Sequence, residues 1–391
     1  MKIYKVGGWC RDTILKLQPK DIDYVVVGAT PNDMIKKGFT QAYELPIVFR
    51  DDEGNDYALA RREVSTGDGY HDFKFDYGPD VTLEEDLMRR DFTINAIAYD
   101  EEEDEWIDPF EGIHDLRVEG VLRNIKGDTM IIDPLRTLRA ARFLSEYPFL
   151  TDEVDYPAYP SIQALSAEKV WAETEKALMG IKPSNYFRFL LKHNMLHQWF
   201  PEIRNLVGKL QSFKWHMEGC SFEHTMMVLD SLARVENSLD MRFAALTHDL
   251  GKGTTPPDVL PSHSGHEFRG IALVESMANR LKIKKNMREA AKLTAEFHTH
   301  IHNFDKLKPK TKVKLYGRLK NNLGYYSDIL GKVAFHDNEG KLPYTGIYTN
   351  HKLFIDTMFK IKTAEKIKVE PGQSINKIKH LKQQAMMIAA K

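Results

Sequence analysis

The chain has 391 residues, 42% of them apolar and 28% charged, with a net charge of −1. That length calls for roughly two to four domains, and the near-zero charge excludes a global pull toward nucleic acid, so any such contact must be local. Only two cysteines, Cys10 and Cys220, exclude a disulfide scaffold and fit a reducing cytoplasm; no stretch approaches a membrane span or a secretory signal.

Met1–Val6 and Asp21–Val27 read as strands, separated by a small-residue turn at Gly7-Gly8. Thr30-Pro31 reads as a helix start with proline in the first turn. Phe49-Arg50, Tyr57–Arg61 and Phe73–Asp76 read as further strands, and the acidic run Asp100–Glu105 as a solvated loop. Beyond Asp133 the strand signals nearly vanish. Helical apolar spacing then recurs over Leu135–Glu146, Ala167–Leu178, Asn185–His193, His224–Val235, Met241–Leu250, Phe268–Leu281 and Asn286–Phe297. The expected architecture is α+β: a mixed-sheet head with helices, then a long all-α body. Basic charge gathers late, with Lys306, Lys308, Lys310, Lys312, Lys314, Arg318 and Lys320 in one stretch and more lysines from Lys352 onward. Either segment reads as a solvated helix face or as an RNA-backbone contact.

Two constellations carry chemistry. In the head, Asp21-x-Asp23 opens a valine-rich strand; residues two apart on a strand share a face, so the carboxylates converge where Mg²⁺ would bind. Gly7-Gly8 lets backbone approach a phosphate, and Arg11 supplies a planar charged fork. Arg89-Arg90 follow the acidic helix Leu83–Asp86, with which they could simply pair. Downstream, Asp133-Pro134-Leu135-Arg136 continues to Arg139 and Arg142, an arginine stripe that phosphates would relieve of its self-repulsion. In the body, His224, His248-Asp249, His263, His266, the run His298–His302 and His336-Asp337 gather histidine and aspartate at helix ends. Such a mixture suits a divalent metal site.

Taken together, Val6-Gly7-Gly8 with Arg11-Asp12, Asp21-x-Asp23, Ala58–Glu63, Leu87–Ala98, Asp108-Pro109-Phe110-x-Gly112 and Asp133–Arg142 resemble the class II tRNA nucleotidyltransferases. These are the CCA-adding enzymes of the polymerase-β-like superfamily, and the chain looks closest to the bifunctional bacterial form with a C-terminal HD phosphohydrolase domain. The resemblance implies a nucleotidyltransferase head over residues 1–125, a helical nucleotide-recognition and tRNA-binding neck over 126–215, an HD domain over 216–340 and a basic helical tail over 341–391. It implies that Asp21 and Asp23 hold Mg²⁺, that Gly8, Arg11 and Arg90 contact nucleotide, and that Asp133 and Arg136, with Arg139 one turn on, read the incoming base. Glu63 is a further carboxylate near that site. Ile132 stands where the family usually has glutamate, and Trp9 and Cys10 replace smaller apolar residues.

In the body, the resemblance gives His224, His248, Asp249 and Asp337 as metal ligands, with His266 and His298 as additional ligands or phosphate contacts and Ni²⁺, Mn²⁺, Co²⁺ or Mg²⁺ as the ion. The implied activities are CCA addition and repair on tRNA from CTP and ATP, with hydrolysis of phosphomonoesters or 2′,3′-cyclic phosphates. A poly(A) polymerase and a phosphohydrolase with a non-catalytic tRNA-binding head are the alternatives. The expected setting is the cytoplasm, without a membrane, and the protein is expected to be a monomer or a homodimer.

Overall fold

The computed structural model describes residues 1–43, 47–65, 73–125, 133–152, 160–213, 216–339, 350–366 and 374–391. The chain forms two compact units, Met1–Ile162 and Gln163–Lys391.

The first unit is built on a seven-stranded mixed sheet in the order β3-β4-β5-β2-β1-β8-β9. The strands are β1 (Lys2–Val6), β2 (Asp23–Val27), β3 (Thr40–Tyr43), β4 (Val48–Arg50), β5 (Asp56–Leu59), β8 (Ala98–Asp100) and β9 (Glu105–Ile107); β6 (Arg61–Ser65) and β7 (Phe73–Tyr77) form a separate hairpin. β2 is central: it runs antiparallel to β1, with Val6 opposite Asp23, and parallel to β5. Its successive valines point to opposite faces, and both faces are covered. Val25 packs with Tyr4, Val6, Leu87 and Ala98, whereas Val26 packs with Met34, Phe49 and Leu59. Helix α2 (Pro31–Lys36), which contributes Met34, starts with a reciprocal cap: Thr30 accepts from the Asp33 amide while the Asp33 carboxylate accepts from the Thr30 amide.

Three local expectations change. Gly7-Gly8 is a helix start, because Gly7, at φ 69°, turns β1 directly into α1 (Gly8–Ile14). The strand expected over Tyr57–Arg61 is two strands, because after Ala60 the Arg61 amide leaves the sheet to donate to the Asp86 carboxylate. The acidic run is the turn of the β8–β9 hairpin: Asp100 is buried and accepts from the Glu102 and Glu103 amides, while Glu101–Asp104 stay exposed. The short strands β3, β8 and β9 gave no periodic signal of their own.

Helix α3 (Leu83–Met88) and helix α4 (Leu135–Glu146) complete what positions the head site, with a small parallel pair, β10 (Val121–Leu122) and β11 (Thr151–Asp152), beside them. The second unit is helical throughout its described residues. Its longer helices are α5 (Ala167–Leu178), α6 (Ser184–Lys192), α7 (Ser221–Ala233), α8 (Leu239–Thr247), α9 (His266–Arg280), α10 (Lys285–His302), α11 (Pro309–Leu319), α12 (Leu323–Glu339), α13 (Asn350–Glu365) and α14 (Ile375–Ala389). The expected helix over Met241–Leu250 ends at Thr247, and a 3-10 segment, Leu250–Thr254, carries the chain onward. α10 buries Met287, Ala290, Ala291, Thr294, Phe297, His298 and Ile301, a stripe at helical spacing. No described helix is long and apolar enough to cross a membrane.

Part of the basic stretch is structural. Lys312 is buried with its ammonium over the Phe304 ring, Arg318 pairs with Glu296, and Lys320 pairs with Glu365. Lys306, Lys308, Lys310 and Lys314 remain exposed.

Candidate active sites of the two units

In the head, Gly7, Gly8, Arg11, Asp23, Arg90, Asp133, Arg136 and Arg139 line one cavity of about 460 Å³. That size lies within the ~300–1,000 Å³ typical of small-molecule sites. Asp23 opens β2 at the cavity. Desolvation pushes its carboxyl up, Asp21 and Asp56 add to the effect, and Arg90 opposes it. Asp21 precedes the strand and is absent from the cavity lining, so strand alternation does not align the pair as the sequence suggested. The two carboxylates nevertheless feel each other, and a divalent cation would offset both the desolvation and the like charge that raise Asp23. Carboxylate donors of this kind suit a divalent cation.

Arg90 explains why glycine precedes α1. A Cβ on Gly7 would sit 3.1 Å from the Arg90 Nη1, in a backbone conformation that side chains rarely adopt. The pairing of Arg89 and Arg90 with the acidic helix is present: both reach the fully buried Asp86, at 2.8 and 3.2 Å. Asp86 therefore holds the Arg90 guanidinium, by its Nη2, at the border of the cavity.

The arginine stripe on α4 is neutralised from within the protein. Arg136 donates to the carbonyls of Arg89 and Arg90, at 2.7 and 3.2 Å, and lies 3.9 Å from Asp133. Arg139 donates to Asp91 at 2.6 Å, and Arg142 pairs with Glu146 at 2.6 Å. The anion expected to relieve the stripe is thus not required for it to pack. Asp133 caps α4 by accepting from the Leu135 amide, leaving a carboxylate beside the Arg136 guanidinium at the cavity wall.

Beneath the cavity runs a buried network that the sequence reading missed. Tyr147 donates to Asp12 at 2.8 Å. Arg11 donates to the Tyr147 hydroxyl, to Asp12 and, at 2.7 Å, to Asn95; Asn95 donates to Asp91, which receives Arg139. Burial opposes ionisation of Asp91, yet Arg139 and Asn95 outweigh it and hold the carboxyl below its ordinary range. Arg11 also lies against the rings of Phe143 and Tyr147. The only sequence sign was that Asp91 and Asn95 fall inside the Leu87–Ala98 motif. Ile132 and the side chain of Glu63 lie outside the described residues.

In the second unit, five elements bring the histidines and aspartates together. His224 comes from α7, His248 and Asp249 from the end of α8, His266 from the first turn of α9, His298 and His302 from one face of α10, and Asp337 from α12. His224 Nε2 stands 2.9 Å from Asp337, and His248 Nε2 stands 3.2 Å from Asp249. Asp249 Oδ1, His266 Nε2 and His298 Nε2 form a triangle with edges of 3.3, 3.4 and 3.4 Å. Ligands about 2.1 Å from a tetrahedral ion lie about 3.4 Å apart, and about 3.0 Å apart around an octahedral one. His248 Nε2 and Asp249 Oδ1 are buried without a hydrogen bond, and Asp249 Oδ2 is paired with the Lys252 ammonium at 2.6 Å. The donor set fits a divalent metal, and the triangle built on His266 and His298 fits at least as well as the His224, His248 and Asp337 group.

Electrostatics favour the ligating forms of His298 and Asp249, whereas at His248 burial is outweighed by the Asp249 and Asp337 carboxylates, which push the imidazole up. Burial pushes the His298 imidazole down to about 4. Asp249 is held well below the usual carboxylate range: burial works against this, but Lys252, at 2.6 Å, and His248 prevail. His263 and His336 are turned elsewhere. His263 bonds the Leu210 carbonyl and Thr255, and His336, one residue from Asp337 and so turned away from it on the helix, meets Ser231 and Glu339.

Comparison with known proteins places each unit in a domain family. Residues 3–123 match the Poly A polymerase head domain, residues 158–206 the "Probable RNA and SrmB- binding site of polymerase A", and residues 221–323 the HD domain. A Multifunctional CCA protein of Mannheimia succiniciproducens is 42% identical, covering 82% of this chain and 79% of its own length. One of Pseudoalteromonas atlantica is 44% identical, covering 80% of this chain and 78% of its own. In fold, the chain is similar to a Bacillus stearothermophilus CCA-adding enzyme in complex with CTP (20% identity, TM-score 0.61, covering 99% of this chain and 87% of that one). It is likewise similar to a Thermotoga maritima CCA-adding enzyme complexed with tRNA (16%, TM-score 0.58, covering 98% and 86%). With a nucleotidyltransferase head, an HD domain and this identity over four-fifths of its length, the chain belongs to the bacterial CCA-adding enzymes that carry an HD domain, the multifunctional CCA proteins.

Proposed function

We propose that the head adds and repairs the 3′-terminal CCA of tRNA from CTP and ATP without a nucleic-acid template, and that the HD site hydrolyses phosphate esters. The observation that carries the first activity is the head cavity, where Asp23, Arg90, Asp133 and Arg136 meet. In this reading the tRNA 3′-hydroxyl attacks the α-phosphate, a new phosphodiester forms, and pyrophosphate leaves. Mg²⁺ held by Asp21 and Asp23 supplies charge neutralisation at the reacting phosphate. Gly8 at the start of α1 lets the triphosphate approach backbone, and Arg11 and Arg90 face its charge. Asp133 offers acceptors and Arg136 donors to the pairing edge of the incoming base, with Arg139 braced by Asp91 one turn on. Because Arg136 is tied to the backbone of Arg89 and Arg90, base choice and phosphate binding share one rigid wall.

At the HD site, a divalent ion (Ni²⁺, Mn²⁺, Co²⁺ or Mg²⁺) held by His224, His248, Asp249 and Asp337, with His266 and His298 adjoining, supplies Lewis acidity for hydrolysis of phosphomonoesters and 2′,3′-cyclic phosphates. Both cysteines are free thiols, in keeping with a reducing cytoplasm, where this reading places the enzyme.

The test is incorporation of each of the four NTPs on tRNA ending without CCA, CA or A. Stepwise C, C and A addition is expected, with G and U rejected. Long A tails without use of CTP would overturn the reading in favour of a poly(A) polymerase. Asp21→Ala should abolish incorporation while phosphatase activity persists.

A further inference from the structure

Glu218 has no part in either set of residues described above, yet its carboxylate is inserted behind the HD site. Its side chain is 1% exposed; Oε1 is hydrogen-bonded to Nδ1 of His216 at 2.7 Å and stands 3.0 Å from Nδ1 of His224, at ion-pair distance without hydrogen-bond alignment, so that this buried nitrogen has no other polar partner among the described residues. The opposite nitrogen of His224, Nε2, faces Asp337 at 2.9 Å and Asp249 at 3.7 Å. His224 is fully buried, so its tautomer and ring angle are set by these neighbours and by no solvent. We infer that Glu218 is a positioning residue for the HD metal: it holds the proton of His224 on Nδ1 and so turns the Nε2 lone pair toward the ion. This inference rests on the metal reading of the HD site.

The local chain is shaped for this purpose. The chain on either side of residues 214–215 is brought together, with the Ser221 amide donating to the Lys209 carbonyl at 2.9 Å and Leu210 bridged to Cys220. Gly219, at φ +100°, supplies the reversal that delivers Glu218 to the first turn of α7, where His224 sits. His216 donates to the same oxygen and meets the His224 ring edge-on at 4.9 Å, which pins the carboxylate from its far side.

His216, Glu218 and His224 could be read as a separate metal site, and the distances argue against that. An oxygen and a nitrogen 2.7 Å apart are closer than the ~3.0–3.4 Å expected of two ligands on one ion with bonds of about 2.1 Å, and match a charge-assisted hydrogen bond. A protonated Nδ1 also cannot ligate a metal. A carboxylate that accepts from the non-ligating nitrogen raises the basicity of a ligand histidine and fixes its orientation, and its loss typically weakens metal binding by about 10–100-fold.

The experiment uses the full chain stripped of metal and titrated with Co²⁺, followed by calorimetry and by the visible absorption of the bound ion. Glu218→Ala should weaken Co²⁺ binding by about 10–100-fold and alter the absorption band. Glu218→Gln, which keeps an oxygen facing Nδ1, should restore much of both. CTP incorporation by the head should stay at the wild-type rate in both variants. Wild-type Co²⁺ affinity and spectrum in Glu218→Ala would overturn the inference. So would equal weakening in both variants together with a lowered melting temperature, which would mark Glu218 as structural only. Absence of Co²⁺ binding in the wild type would overturn the metal reading itself, a result separable from the others.

Discussion

Replacing Asp91 by alanine removes the node of the buried network under the head cavity. Its carboxylate receives Arg139 at 2.6 Å, Asn95 at 2.9 Å and the Phe92 amide at 3.0 Å, with its side chain 6% exposed. Breaking a buried ion pair from one side costs about 3–5 kcal/mol. Arg139 is 34% exposed, so water recovers part of its share, while the Asn95 and Phe92 donors are buried and do not recover theirs. The expected loss is therefore near the lower end, about 3 kcal/mol, or about 6–12 °C for a unit of this size. Freed of Asp91, Asn95 loses its hold on Arg11 and Arg139 swings from the cavity wall. A shift of that kind costs on the order of 100-fold in kcat/KM for CTP. Calorimetry of the full chain, paired with single-nucleotide incorporation, measures both.

The acid limb gives an independent sign. Asp91 is held below its ordinary range in the fold, so its contribution is complete above about pH 3.9, the unfolded value, and is lost as pH falls through the lower folded value. Asp91→Asn should therefore differ from the wild type at neutral pH and converge on it only in strong acid. An Asp91→Ala protein with wild-type melting temperature and wild-type incorporation would refute the reasoning.

Three further outcomes are expected. Asp23→Asn should abolish nucleotide incorporation and leave HD-site hydrolysis intact; retained incorporation would remove Asp23 from the metal set. Gly7→Ala should cost about 1–3 kcal/mol in backbone strain and push Arg90 aside, raising KM for NTP, as steady-state kinetics would show. Gly251→Ala would place a Cβ 1.9 Å from the His266 carbonyl and 2.7 Å from the Gly270 amide, forcing α9 away. Co²⁺ binding and phosphatase activity should then fall while CTP incorporation persists, and unchanged Co²⁺ binding would show that α9 does not position His266.

Where the sequence carried strong local signals, it was read correctly. The span of α4 is the same in pattern and structure because its apolar stripe runs at helical spacing directly after Pro134. The Val-rich strand β2 and the capped start of α2 were legible for the same reason. The β8–β9 hairpin was not, since three-residue strands have too few positions to show alternation and draw their stability from neighbours in the sheet. Asp21 was placed on β2 by periodicity, but the strand begins only at Asp23, opposite Val6, the last residue of β1.

The sequence by itself determined the kinds of chemistry. Carboxylates after a glycine pair, arginines at spacing three, and histidine–aspartate pairs at helix ends are properties of the chain and are visible without a fold. What each arginine does was decided only in three dimensions. Arg89 and Arg90 share Asp86, Arg136 is tied to two carbonyls, and Arg139 is tied to Asp91, so a stripe that looked starved of anions is held in place by hydrogen bonds before any nucleotide arrives. Likewise the sequence supplied many histidines, but only packing sorted His266 and His298 into a metal-sized triangle and turned His263 and His336 away. The physical reason is the same in both cases. Charge and ligand type are local, whereas desolvation and angstrom-scale distances depend on which distant segments pack together.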